Sequence, residues 1–229
     1  MTHALQVNTA VEESTLGQRK SSLLPADDFV RTHVSELDTI VVSVGGNDVA
    51  LRPTLSTIIS MLMLTSMPLW LIESGNAPGM GHFVNLFRER TMAYVHKLIA
   101  LRKPRRVVVC TLYFLDEVAG GSWADFVLEK LGYNKNPEKL QAAIIKIHEL
   151  AHSTIKDVGG VEVVAVPFFS ALDGKDTHDY CQRVEPSVQG GSKMAKLIVD
   201  AVLAQRPADG WPGERAPRAY SGSHAPWIC

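Results

Sequence analysis

Along the chain, short β-branched apolar runs alternate with longer segments in which apolar residues recur every three or four positions. Ala4 to Val7 reads as a short strand, and Asn8 to Leu16 as the polar loop leaving its carboxyl end. From Ala26 to Leu37, the residues Phe29, Val30, His33, Val34 and Leu37 share one helical face, with Asp27 and Asp28 favourably placed in the first turn. Thr39 to Val44 follows as an apolar run of the kind that fills a strand buried on both faces. After Gly45-Gly46-Asn47-Asp48, Pro53 opens a helix whose Leu55 to Leu64 stretch is apolar all round, which predicts a helix buried against a sheet. Glu73 to Gly81 is a glycine-rich loop, and His82 to about Leu101 predicts a long amphipathic helix. Arg105 to Thr111 is a strand. Pro137 starts a helix with the stripe Leu140, Ile144, Ile147, Ala151, Ile155 and Val158. Val161 to Val166 is the next strand, and Val188 to Ala204 the last helix. Strands joined by helices are the βαβ signature, so the fold class is α/β with a parallel sheet.

Composition narrows the possibilities. With 229 residues the chain is most simply one domain able to bury about 70% of its unfolded surface. A formal net charge of -1 argues against a nucleic-acid partner held by bulk electrostatics. The basic run Arg88, Arg90, Arg102, Lys103, Arg105 and Arg106 has no interleaved aromatic pattern and reads as a solvated face. No charge occurs between Arg52 and Glu73, which raises a transmembrane helix; Pro68, several hydroxyls and the amphipathic flanks argue against one. Cys110, Cys181 and Cys229 are scattered and odd in number, which with an N-terminus unlike a secretory signal suggests an intracellular, cytoplasmic protein. Residues 205–229 are rich in Pro, Gly, Arg and Ala, lack periodicity, and read as a disordered tail.

The richest stretch is the strand that ends in Gly45-Gly46-Asn47-Asp48. Ligands of open α/β sheets bind outside the carboxyl ends of strands, where glycines let backbone and ligand approach closely. Turn chemistry alone also allows a tight turn with an Asx cap for the next helix. This block resembles the Gly-x-Asn-Asp block of the SGNH/GDSL hydrolase superfamily, and the order of elements is similar over residues 4–204. The resemblance implies a three-layer α/β/α sandwich with a flavodoxin-like parallel sheet, acting on a small-molecule ester or acylated substrate without a cofactor. It implies that Asn47 donates its side-chain amide to an oxyanion, with Gly45, Gly46 and Asp48 as its block. The family's Gly-Asp-Ser nucleophile motif does not occur in this sequence, so by the resemblance the first strand is missing, the domain 1–204 is N-terminally incomplete and the chain a truncated form. Glu12 or Glu13 falls where a glycine normally supplies a second oxyanion donor, and a carboxylate there would repel the oxyanion.

Other parts of a hydrolase site are looser. The family's Asp-x-x-His block corresponds here to Gln182-Arg183-Val184-Glu185-Pro186-Ser187, so Glu185 stands where the base would be. Glu185 reads either as a base raised by burial or as a helix-start carboxylate near the macrodipole. His178 with Asp173 or Asp176 is a substitute from the preceding loop, and Ser14 is the one hydroxyl near the expected crevice able to stand in as nucleophile. A different chemistry is offered by His148-Glu149-Leu150-Ala151-His152, an HExxH pattern that places two imidazoles on one helical face as a zinc hydrolase requires. The apolar stripe of that helix puts both histidines beside it, toward solvent. The sequence therefore leaves three functions open: ester chemistry, a non-catalytic binding or scaffold domain on the same fold, and zinc hydrolysis.

Overall fold

The computed structural model describes residues 5–204. Three parallel strands form the centre: β1 (Thr39–Ser43), β2 (Arg106–Cys110) and β4 (Val161–Val166), with the two-residue β3 (Asp157–Val158) antiparallel to β4, in the order β1-β2-β4-β3. The connections carry the helices. α1 (Pro25–His33) precedes β1; α2 (Gly46–Ala50), α3 (Leu55–Ser66), α4 (Leu69–Glu73), α5 (Met80–Val84) and α6 (Thr91–Leu98) lie between β1 and β2. A π-helical turn, Asn85–Arg90, joins α5 to α6 in one continuous helix. α7 (Asp125–Lys130) and α8 (Pro137–Leu150) cross from β2 to β3, and α9 (Val188–Leu203) closes the described chain.

The sheet's two faces are covered unequally. Ile40, Val42, Val107, Val109, Val161 and Val163 point into the larger core with α3, α5, α6 and α8, while Val108, Cys110, Val164 and Val166 pack with Met194, Leu197, Ile198 and Ala201 of α9. Val41 pairs with Val108 but lies beyond the reach of α9 and is 43% exposed. β1 is thus an edge strand with one covered face, not the doubly buried strand its composition predicts. Arg106 anchors α9 by donating from Nη1 to the carbonyls of Ala201 and Ala204 at 2.9 Å each and from Nε to Glu162 at 2.8 Å. A guanidinium at a helix C-terminus meets the negative end of the dipole. Part of the basic run therefore serves helix termini and not an open surface.

Several expectations need correction. Ala4 lies outside the described residues, and Leu5 to Val7 form no strand; Leu5 and Val7 are 97% and 69% exposed. All three residues are exposed, so no burial offsets the entropy of ordering them as a strand. α8 stops at Leu150, eight residues short of the predicted stripe: Ser153 and Thr154 turn their hydroxyls onto the carbonyls of Glu149 and Ala151, and a 3₁₀ turn at His152–Thr154 follows. α3 is also not buried all round. Thr57, Leu64 and Thr65 face inward, whereas Leu55, Ile58, Ile59, Leu62 and Met63 are 42–73% exposed. The expected tail, 205–229, lies outside the described residues.

Candidate ligand cavity at the carboxyl ends of β1 and β2

β1 leaves the sheet at Ser43, and the chain reverses at Gly45, whose φ of 93° lies in the left-handed region. A Cβ there would sit 2.6 Å from Phe87 Cε1, so both backbone and packing call for glycine. Gly46 differs. A Cβ on it would meet nothing nearer than Leu112 Cδ2 at 3.8 Å. Asp48 is buried, and its carboxylate accepts from the backbone N–H groups of Leu16 (2.7 Å) and Gly17 (3.0 Å) and from Arg90 (3.0 Å). Asn47 Nδ2 donates to the carbonyl of Ser14 at 3.0 Å. The Asn-Asp pair therefore clamps the segment around residues 14–17 onto the end of β1. Arg19, with Tyr94 donating to Asp27 at 2.7 Å and its own Nε on Asp27 at 2.8 Å, fastens the same segment from below.

Above this turn opens a cavity of about 710 Å³. Its lining includes the polar or backbone-bearing Ser14, Gly46, Asn47, Thr111, Tyr113 and Glu185, and is otherwise largely aliphatic and aromatic, from Ile58, Met61 and Leu62 of α3 to Leu140, Ile144 and Ile147 of α8. Trp123, Phe126 and Val127, at and just before α7, line it and are also 49–67% exposed, which puts them at its rim. A mostly apolar cavity of this size with a few convergent polar groups suits an organic ligand with a long hydrocarbon part. Asn47 lines the cavity, and the second N–H of its amide has no hydrogen-bond partner among the described residues.

The expected residues divide sharply. Gly45, Gly46, Asn47, Ser14 and Glu185 line this cavity, and Asp48 supports it from outside. Ser14 Oγ donates to its own neighbour's carbonyl, Val11 O, at 2.6 Å. Glu185 is exposed and accepts from Trp123 Nε1 at 3.2 Å. Asp173 and His178 are not among the lining residues: Asp173 accepts from the Lys175 N–H, and the His178 side chain is 87% exposed beside Asp176 at 3.1 Å. That contact holds the Asp176 carboxyl below the usual range. Among the described residues no serine, histidine and aspartate meet in the cavity. Glu12 and Glu13 do not face it either; both are exposed, and Glu13, at φ 57°, lies 3.8 Å from Arg52. The expected carboxylate beside the oxyanion position is thus absent from the lining.

Two further cavity groups carry shifted pKa values. Burial pushes the Cys110 thiol up to about 12, and burial with the nearby Glu185 charge pushes Tyr113 up to about 12. Cys110 is accordingly an inert thiol and Tyr113 a neutral phenol, which donates to Val184 O at 2.7 Å.

The histidine pair overturns its expectation. His148 lies in the last turn of α8, whereas His152 lies past the break at Ala151 and is 1% exposed, with its ring edge-on to Phe87 at 5.3 Å. Among the described residues neither His152 nitrogen has a hydrogen-bond partner, and His148 Nδ1 has none. Burial pushes His148 down to about 4 and His152 to about 3. Glu149 pairs with Lys146, and among the described residues no group of three His, Cys, Asp or Glu could hold a metal. His152 is a core residue and His148 is half-buried, so the pair is not a solvent-facing flank.

Comparison with protein-family models, curated proteins and solved structures returns no match. Trp123, Phe126 and Val127 escaped the sequence reading because α7 is six residues long, too short to show a period. The uncharged interval from Arg52 to Glu73 was visible, but its outward face was not.

Proposed function

We propose that this chain is an SGNH-hydrolase-type domain, three-layered and flavodoxin-like, whose cavity takes the acyl part of an ester and whose chemistry is ester hydrolysis or acyl transfer. One observation carries the reading: the Gly45-Gly46-Asn47 turn borders an apolar cavity, and the amide of Asn47 has one N–H without a hydrogen-bond partner among the described residues. A neutral amide held by Ser14 O presents a fixed dipole to a carbonyl that gains negative charge, without the cost of an ionised group. Ser14 and Glu185 are the hydroxyl and the carboxylate that share the cavity with it, and Tyr113 adds a neutral polar edge.

A second reading is a non-catalytic acyl-binding domain on the same scaffold. It is favoured by the engagement of Ser14 Oγ with Val11 O and by the distance of His178 from the cavity lining. The two readings part in one experiment on the full chain. Turnover of p-nitrophenyl esters that falls about 100-fold in Asn47→Ala, with the melting temperature unchanged, supports ester chemistry. Displacement of a fluorescent fatty-acid probe without any turnover supports the binding domain. Failure to bind the probe and to turn over esters of any chain length refutes both.

A further inference from the structure

A second cavity, of about 450 Å³, shares no lining residue with the first. It is bordered by Ser21, Ser22 and Leu23, by Asp28 and Arg31 of α1, and by Lys97 and Ala100 at the end of α6. Arg31 and Lys97 stand in the last turns of their helices, from which the chain runs on to the amino ends of β1 and β2. The cavity is therefore at the pole opposite the Asn47 turn, which follows the carboxyl end of β1.

Where the first cavity is walled mostly by hydrocarbon, this one gathers hydrogen-bond donors. Arg31 gives Nη2 to Asp28, but its Nε is buried and has no hydrogen-bond partner among the described residues. Lys97 Nζ donates to the carbonyls of Arg19 at 2.9 Å and Lys20 at 2.7 Å, which uses two of the three N–H bonds of an ammonium. Ser21 and Ser22 are exposed, and neither hydroxyl enters a hydrogen bond among the described residues. A cation in the last turn of a helix complements the negative end of the dipole, and that accounts for the charges of Arg31 and Lys97. It does not account for a buried guanidinium nitrogen left unpaired, which carries the desolvation cost of a charged donor until an acceptor meets it.

The electrostatics select an anion. Arg31 and Lys97 against Asp28 leave the lining with a net charge of +1, and the exposed Lys20, Arg102 and Lys103 flank Ser21 and Ala100 along the chain. A planar carboxylate offers two oxygens. A phosphate monoester offers three around a tetrahedral centre and up to two negative charges, which suits donors contributed by three separate segments. We infer that this cavity binds the phosphate group of a phosphorylated small molecule, with Arg31 and Lys97 as its cationic contacts and Ser21 and Ser22 as neutral donors. The volume leaves room for an organic part beside Leu23 and Ala100. Binding here needs nothing from the first cavity, so it stands whether or not that cavity takes an acyl group.

The probe is phenyl phosphate, titrated calorimetrically into the full chain at a pH of about 7.5, where the monoester carries close to two charges. Benzoate, with the same ring and a planar anion, is the control. The expected result is saturable binding with a Kd of about 1 mM or tighter, weakened by added salt, with benzoate at least about tenfold weaker. Arg31→Gln with Ser22→Ala changes one half-buried and one exposed position, so it should keep the melting temperature and weaken binding at least about tenfold. Asp28→Asn removes the carboxylate that competes for Arg31 and should tighten binding severalfold, which loss of a merely structural ion pair would not do. Lys175→Gln, exposed and outside the cavity, should bind like the parent. Absence of saturable binding, benzoate held as tightly as phenyl phosphate, a double variant that binds like the parent, or weaker binding in Asp28→Asn would each overturn the inference.

Discussion

Acidification is expected to destabilise this fold through His152. In the unfolded chain an imidazole titrates near 6.5, whereas in the folded state burial pushes His152 to about 3. The neutral form is the one the core accepts. Above pH 6.5 both states are neutral and the shift costs nothing; as pH falls below 6.5 the unfolded state gains a proton that the folded state refuses, so stability drops until the folded pKa is reached. Between pH of about 7.5 and 5.0 the linkage amounts to about 2 kcal/mol for His152. Its 1% exposure leaves little room for solvent screening. His148, pushed down to about 4 and half-buried, adds a smaller share in the same direction. Against a typical domain stability of about 5–15 kcal/mol this is a large fraction. The assay is urea unfolding followed by tryptophan fluorescence at several pH values. His152→Leu keeps an apolar side chain against Phe87 and removes two nitrogens that lack partners, so it should match or exceed the parent at neutral pH and lose about 2 kcal/mol of its pH dependence. A variant with the parent's full acid sensitivity would refute the reasoning, because the titrating group would then lie elsewhere.

The turn after β1 offers a paired comparison. Gly45→Ala should cost about 2 kcal/mol or more, from left-handed strain and the 2.6 Å approach to Phe87, while Gly46→Ala should be nearly neutral in thermal unfolding. Asp48→Asn removes the charge that Leu16, Gly17 and Arg90 share, and should cost about 3 kcal/mol and expose residues 8–20 to limited proteolysis before the rest of the domain. Proteolysis that starts elsewhere would show that Asp48 is not what holds this segment.

Local patterning carried most of the architecture. The strands at Thr39, Arg106 and Val161, the start of α8 and the helix α9 stand close to where β-branched runs and helical periodicity put them, because those signals are written within a dozen residues. The Gly45-Gly46 turn was legible for the same reason: a glycine pair after an apolar strand has few conformational uses. Residues 5–7 show the limit of such signals, since so short an apolar run becomes a strand only where its side chains find something to pack against.

The tertiary structure decided what the sequence could not. Asp48 finds its partners 31 to 42 residues away, and the cavity joins α3, α7 and α8 across more than 80 residues of chain, so no local window reveals either. Burial of His152 was hidden because the helix that would have turned it outward stops at Leu150. The apolar composition of α3 was plain in the sequence, yet composition is the same whether a helix is enclosed or half-exposed. Which side of it meets solvent depends on how many neighbours the fold places around it, and here the fold covers one.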